Sequence, residues 1–198
     1  MRTKLFTIGL LFFAISSFAG EKELPKLFSD ILIKSNMTFE MPKGLIETTV
    51  IENSQMNYEF AIKYPDKKFE VRYAIRPLGS RIEEYKANIK NQKPGDSFAD
   101  PNKMYAASLL AITYNISGGK FAKSQDFDKN SVKQEFNADW GATTFVEVNN
   151  TFSQGYKYCM MVAIHKDDCA DAYIFFMTDD KAQIMELALP AFYALKFK

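Results

Sequence analysis

Histidine and tryptophan each occur once in this 198-residue chain, and cysteine occurs twice. Such scarcity removes most familiar catalytic machinery. There is no C-x-x-C, H-E-x-x-H, G-x-S-x-G or Walker-type glycine loop, which excludes the chemistries those spacings serve. A Ser-His-acid triad would have to use His165. A glycosidase needs only two carboxylates, yet the adjacent pairs Glu83-Glu84 and Asp179-Asp180 stand at helix starts, where acids cap. No cofactor motif is present, and no cofactor is expected. The charge balance, 25 Lys and Arg against 24 Asp and Glu, offers no electrostatic case for nucleic acid or anionic membrane as partner. The charges are mixed along the chain rather than blocked, as on a solvated surface.

The longest apolar run lies at the N-terminus, "MRTKLFTIGLLFFAISSFAGEKE". Arg2 and Lys4 precede apolar residues 5–15, and Ser17 and Ala19 stand at the −3 and −1 positions of a cut after Ala19. This is the pattern of a secretory signal peptide. The run is shorter than the ~20 residues of a membrane span, and no cysteine lies near the cut for a lipid anchor. Residues 1–19 are therefore expected to be removed, leaving residues 20–198 as one domain, exported to a periplasm or secreted, with no transmembrane segment. Eighteen Phe and ten Tyr point to a packed, strand-containing core.

"ELPKLFSDILIKS" sets Leu24, Leu27, Phe28, Ile31 and Leu32 at helical spacing. Strands follow in "MTFEMP", "LIETTVIE", "MNYEFAIKY" and "FEVRYAIR", joined by turns short enough for antiparallel pairing. In the last, Phe69, Val71, Tyr73 and Ile75 alternate with Glu70, Arg72, Ala74 and Arg76, predicting one face in and one out. Two helices come next. One is capped by a Ser80/Glu83 box; the other opens at Asp100-Pro101 and ends at Gly118-Gly119. The strands "GATTFVEVNN", "GYKYCMMVAI" and "AYIFFMT" precede a terminal helix, "KAQIMELALPAFYALKF", which Pro190 should kink or divide. Met160, Val162 and Ile164 lie on one side of their strand and Cys159, Met161 and Ala163 on the other, so that strand needs cover on both faces. The fold class expected is α+β, an antiparallel sheet with helices on both faces, an α/β/α sandwich.

This order of elements, with "FNADWGATTFVEV" in the second meander and a closing "ALKF", resembles the PsbP-like superfamily over most of residues 37–198. That superfamily is named for an extrinsic subunit of the photosystem II oxygen-evolving complex. Its fold also occurs in a Ran-binding import factor and in small secreted bacterial proteins. The resemblance implies a binding or accessory module and carries over no catalytic residues.

"CMMVAIHKDDC" holds both cysteines and the histidine. Read as a hairpin turning at residues 165–168, it pairs Ile164 with Cys169 and sets Cys159 opposite Ile174. The cysteines are then about 17 Å apart, whereas a disulfide needs Cα atoms within ~7 Å. Two free thiols on opposite faces are expected, despite the oxidising compartment. At the turn, His165, Asp167 or Asp168, and Cys169 supply donor types for zinc or copper. A polar turn with a half-buried cysteine is the plainer reading and the one preferred. "DFDKNS" begins like a calcium loop at Asp126, Asp128 and Asn130, but Ser131 replaces its glycine and Asn137 its bidentate Glu, so a solvated loop is expected. Trp140, in "ADWGA", is the one candidate binding residue, competing with plain packing at a sheet edge. The function expected is an exported, non-catalytic domain that binds a protein or assists an envelope assembly. The alternative is a carrier of a small apolar ligand, with an unrecognised hydrolase third.

Overall fold

A computed structural model of the chain describes residues 23–198; the expected signal segment, residues 1–19, lies outside them. Helix α1 (Lys26–Lys34) follows Pro25, whose fixed φ suits a helix start, and buries Phe28 and Leu32. Three short strands come next: β1 (Met37–Phe39), β2 (Ile46–Glu47) and β3 (Phe60–Lys63). They lead to the long β4 (Phe69–Pro77). Helices α2 (Gly79–Lys90) and α3 (Tyr105–Ile116) are followed by β5 (Ser124–Asp126), α4 (Lys129–Phe136) and β6 (Trp140–Glu147). The one-turn α5 (Asn150–Ser153) precedes the hairpin of β7 (Tyr158–Lys166) and β8 (Ala170–Thr178). Finally, α6 (Ile184–Ala188) leads through a 3-10 turn to β9 (Leu195–Phe197).

Seven strands form one antiparallel sheet in the order β2-β3-β4-β8-β7-β6-β5, and β1 pairs with β9 in a separate ribbon. The protein is thus α+β. One apolar cluster joins Phe28 and Leu32 of α1, Phe69, Val71, Tyr73 and Ile75 of β4, and Met160, Val162 and Ile164 of β7. Val132 and Phe136 of α4 and Leu187 of α6 belong to it too. A second joins Leu109 and Ile116 of α3, Phe152 of α5, Cys159, Met161 and Ala163 of β7, and Tyr173, Phe175 and Met177 of β8. Alternate residues of one strand enter different clusters, as the pleat requires. Every residue of β8 is buried.

Several expectations change. The outer face of β4 is not solvated: Arg72 and Ala74 are as buried as the apolar residues between them. The predicted strand "LIETTVIE" survives only at Ile46–Glu47, since at the sheet's edge it has a single neighbour to pair with. Helix α2 begins at Gly79 after Leu78 with no side-chain cap, so Ser80 and Glu83 lie inside the helix rather than forming a box. The loop expected at "DFDKNS" is instead a strand end followed by a capped helix: Asp128 Oδ1 accepts from Asn130 N and Ser131 N, both at 3.0 Å. The terminal helix stops at Ala188, because Pro190 supplies no N–H to continue the ladder. Leu195 and Phe197 then alternate with exposed Lys196 in a strand that pairs back to residues 37–39.

The central hairpin also turns later than expected. Lys166 pairs with Ala170 and Cys159 with Met177, so His165 belongs to the strand and residues 167–169 make the turn. Asp168 adopts φ +59°, the left-handed residue of a three-residue hairpin loop. The register is fixed by side chains, because it sets His165 directly opposite Asp171.

Candidate functional site

His165 and Asp171 are both buried, and Nδ1 of the imidazole lies 2.7 Å from Asp171 Oδ1. On the other side, Nε2 lies 2.9 Å from Asp167 Oδ1 in the turn. Ionised carboxylates only accept, so this arrangement favours the imidazolium, in which both ring nitrogens donate. Burial opposes that charge, but the hydrogen bonds to Asp171 and Asp167 outweigh it and hold the pKa above the usual histidine value. Tyr105, at the start of α3, lies over the imidazole with ring centroids 4.5 Å apart, and Trp140 lies over Tyr105 at the same separation.

The hairpin tip is tied down around this stack. Asp139 Oδ2 accepts the Asp167 N–H at 3.0 Å, and Asp168 and Asn102 exchange two hydrogen bonds. Asn102 belongs to the 3-10 turn before α3, so the cluster clamps hairpin, helix and β6 together. Its chemistry is that of a held proton rather than of an open base.

The residues singled out in the sequence are thus brought together selectively. Trp140 and His165, considered as separate candidates, are direct partners in the β6–β7 ladder. His165 meets Asp167, but Cys169 packs against the opposite cluster from the one holding Cys159, and neither thiol is in a disulfide. With both imidazole nitrogens committed to carboxylates, His165 has no lone pair for a metal. Among the described residues no group of three His, Cys, Asp or Glu is placed to hold a metal ion. Asp171, Tyr105 and Asp139 were missed. Asp171 becomes visible only with the correct register, and Tyr105 stands at helical spacing with Leu109, Ile112 and Ile116, which reads as core packing.

A second buried charge lies deeper. Arg72 donates from Nε to Glu70 at 2.6 Å and from its terminal nitrogens to the carbonyls of Phe152 and Ser153 and to Gln154 Oε1. Its guanidinium also lies over the rings of Tyr58 and Phe152, 4.7 and 5.2 Å from their centroids. Those carbonyls are the free end of α5, so Arg72 pins that turn to the sheet as a C-terminal cation does.

Clefts open elsewhere. One of about 300 Å³ runs between α4 and the C-terminal turns, lined by Phe127, Val132, Phe136, Phe192 and Tyr193 with Asp128 and Glu135. Another, of about 350 Å³, lies between α2 and α3 and is lined by Met56, Pro77, Ile112 and Tyr173 with Arg76, Arg81 and Asp171. No protein-family model matches the chain, and no curated protein sequence matches it.

Proposed function

We propose that this is an exported, non-catalytic accessory domain of PsbP-like architecture, with helices on both faces of the sheet, and that it docks on a protein of the cell envelope. The observation that carries the reading is a stripe of exposed apolar side chains. Met185, Leu189 and Tyr193 recur every four residues along the C-terminal turns and are 59, 64 and 45 % exposed. Tyr193 also lines the aromatic groove of Phe127, Phe136 and Phe192, whose rim carries Asp128 and Glu135. Asp128 stays ionised, since the Ser131 and Asn130 hydrogen bonds hold its carboxyl below the usual range. The partner this surface fits is a segment presenting an aromatic or aliphatic anchor beside a basic residue. Export rests on the signal-like N-terminus. Among the described residues no helix is long and apolar enough to cross a membrane.

A photocrosslinking residue placed at Leu189 should give one discrete adduct in the envelope fraction, and the same residue at exposed Lys90 should not. The purified partner should bind Leu189→Glu at least roughly tenfold more weakly than the native chain. Identical adducts from both positions, or an affinity untouched by Leu189→Glu, would overturn the reading. The cleft between α2 and α3 favours the second reading, carriage of a small apolar ligand. Native mass spectrometry of the exported protein tests it, by a mass increment lost on substituting Ile112.

A further inference from the structure

A third cleft lies at the other end of α3, against the loop before β3. It measures about 340 Å³ and is lined by Ser54, Gln55, Tyr114, Asn115, Gly118 and Gly119. No charged side chain lines it. Beside it stand two exposed rings, Tyr114 at 41 % and Phe121 at 78 %, with centroids 4.9 Å apart. Phe121 is the most exposed large apolar residue among those described.

The polar groups are unspent. Gln55 Oε1 is buried without a hydrogen-bond partner, and so is Nδ2 of neighbouring Asn53. A buried carbonyl oxygen left unpaired is costly and rare. The frame around it is fixed. Asn53 Oδ1 accepts from Gln55 N and Met56 N, at 3.1 and 2.9 Å, which sets the first loop. On the far side, Ser117 Oγ donates to Lys120 O and accepts from Lys120 N, at 2.7 and 3.1 Å. Gly119, at φ +90°, adopts a backbone conformation that favours glycine and lies against the Tyr114 ring.

We infer that this cleft is a binding site for a neutral oligosaccharide. An ionic ligand would find no counter-charge there. A purely apolar one would leave Gln55 Oε1 unpaired and waste the Asn115 amide. A sugar ring offers both kinds of surface: hydroxyls that pair with amides, which donate and accept in one plane, and a C–H face that covers an aromatic ring. One sugar unit would sit between Gln55 and Asn115, and the next would lie on Phe121. The cleft is at the small end of ligand sites, which suits one or two units. The inference is independent of the proposed docking stripe. That stripe adjoins α4, which packs in the first core cluster, whereas α3 packs in the second.

The test is saturation-transfer NMR on the chain from residue 20, with maltotriose, cellotriose and the N-acetylglucosamine trimer as neutral probes and trigalacturonate as the charged comparator. At least one neutral probe should bind with a Kd below about 10 mM and receive saturation on its ring C–H protons when the protein's aromatic protons are irradiated, with the charged comparator at least about tenfold weaker. Phe121→Ala, which removes an exposed ring, should weaken binding roughly tenfold without changing the thermal midpoint. Gln55→Leu should do the same through the lost hydrogen bond. Should Gln55→Leu fail to fold, Phe121→Ala alone decides. No binding of any neutral probe at about 10 mM, preference for the charged comparator, or binding indifferent to Phe121→Ala would overturn the assignment. None of these outcomes bears on the Leu189 experiment.

Discussion

Replacing Gly141 by alanine adds a single methyl, and the structure sets the sign of its effect. Gly141 lies on β6 beneath α4. A Cβ there would stand 3.1 Å from Phe127 Cδ2, 3.1 Å from Val132 Cγ2 and 3.2 Å from the Ala163 carbonyl oxygen. The first two are side-chain atoms that can yield a few tenths of an ångström. The third is backbone of β7, held between β6 and β8, and cannot. Overpacking of this kind costs about 1–3 kcal/mol. Reduced freedom of the unfolded chain returns roughly 0.4–1 kcal/mol. The net expectation is a loss of about 1–2 kcal/mol, or roughly 2–8 °C in the melting midpoint of a domain this size. Urea titration followed by circular dichroism and by Trp140 fluorescence measures it, the shift appearing in the midpoint and not in the slope. Val132→Ala should rescue part of the loss, with a coupling energy of at least ~0.5 kcal/mol, because it clears one contact and leaves the carbonyl. A Gly141→Ala protein as stable as the native one, or more so, would refute the reasoning, since the steric cost would then not exceed the entropic gain.

Other expectations follow from the buried charges and thiols. Arg72→Leu strands Glu70 and the Phe152 and Ser153 carbonyls, and should cost about 3–5 kcal/mol by urea denaturation; a loss under ~1 kcal/mol would mean that the pair is effectively solvated. His165 titrates higher folded than unfolded, so its contribution is complete below the unfolded value near 6.5 and is lost as pH rises through the raised folded value. Asp171, Asp167 and Asp139, with Lys133 and Lys166 nearby, make up the charged surroundings. The urea midpoint should fall across that window, and His165→Gln should flatten the fall. Burial pushes the Cys159 thiol well up, with Arg72 only partly opposing, so under native conditions a thiol reagent should modify Cys169 alone. Both cysteines should react in denaturant; a native protein reacting at neither, or at both equally, contradicts the placement.

The sequence was most legible where one period spoke for one environment. The alternation of Phe69, Val71, Tyr73 and Ile75 found a core face correctly, and Cys159 to Ile164 announced a strand covered on both sides. The same alternation misled for Arg72. A charged residue between apolar ones reads as outward-facing, and apart from Glu70 the groups that accept its hydrogen bonds lie 80 and more positions along the chain. Short elements were lost for a related reason. In β9, Leu195 and Phe197 supply too few alternations to outvote the helical spacing before them, and only pairing with β1 selects the extended form. The cluster at His165 needed the hairpin register to within one residue, and a turn accepting φ > 0 at Asp168 instead of at a glycine gave no signal of it.

The order of the strands also fixes when the fold can exist. The centre of the sheet joins β4 to β8, and the outer ribbon brings Thr38 to Lys196, 158 positions away. The inner edge of β4, and β1 as a whole, therefore have no partner until β8 and β9 have been made. The residues that close both sheets lie in β8 and β9, far along the chain from their partners in β4 and β1. A chain assembled in this way acquires its native core slowly, because its decisive contacts are so distant in sequence.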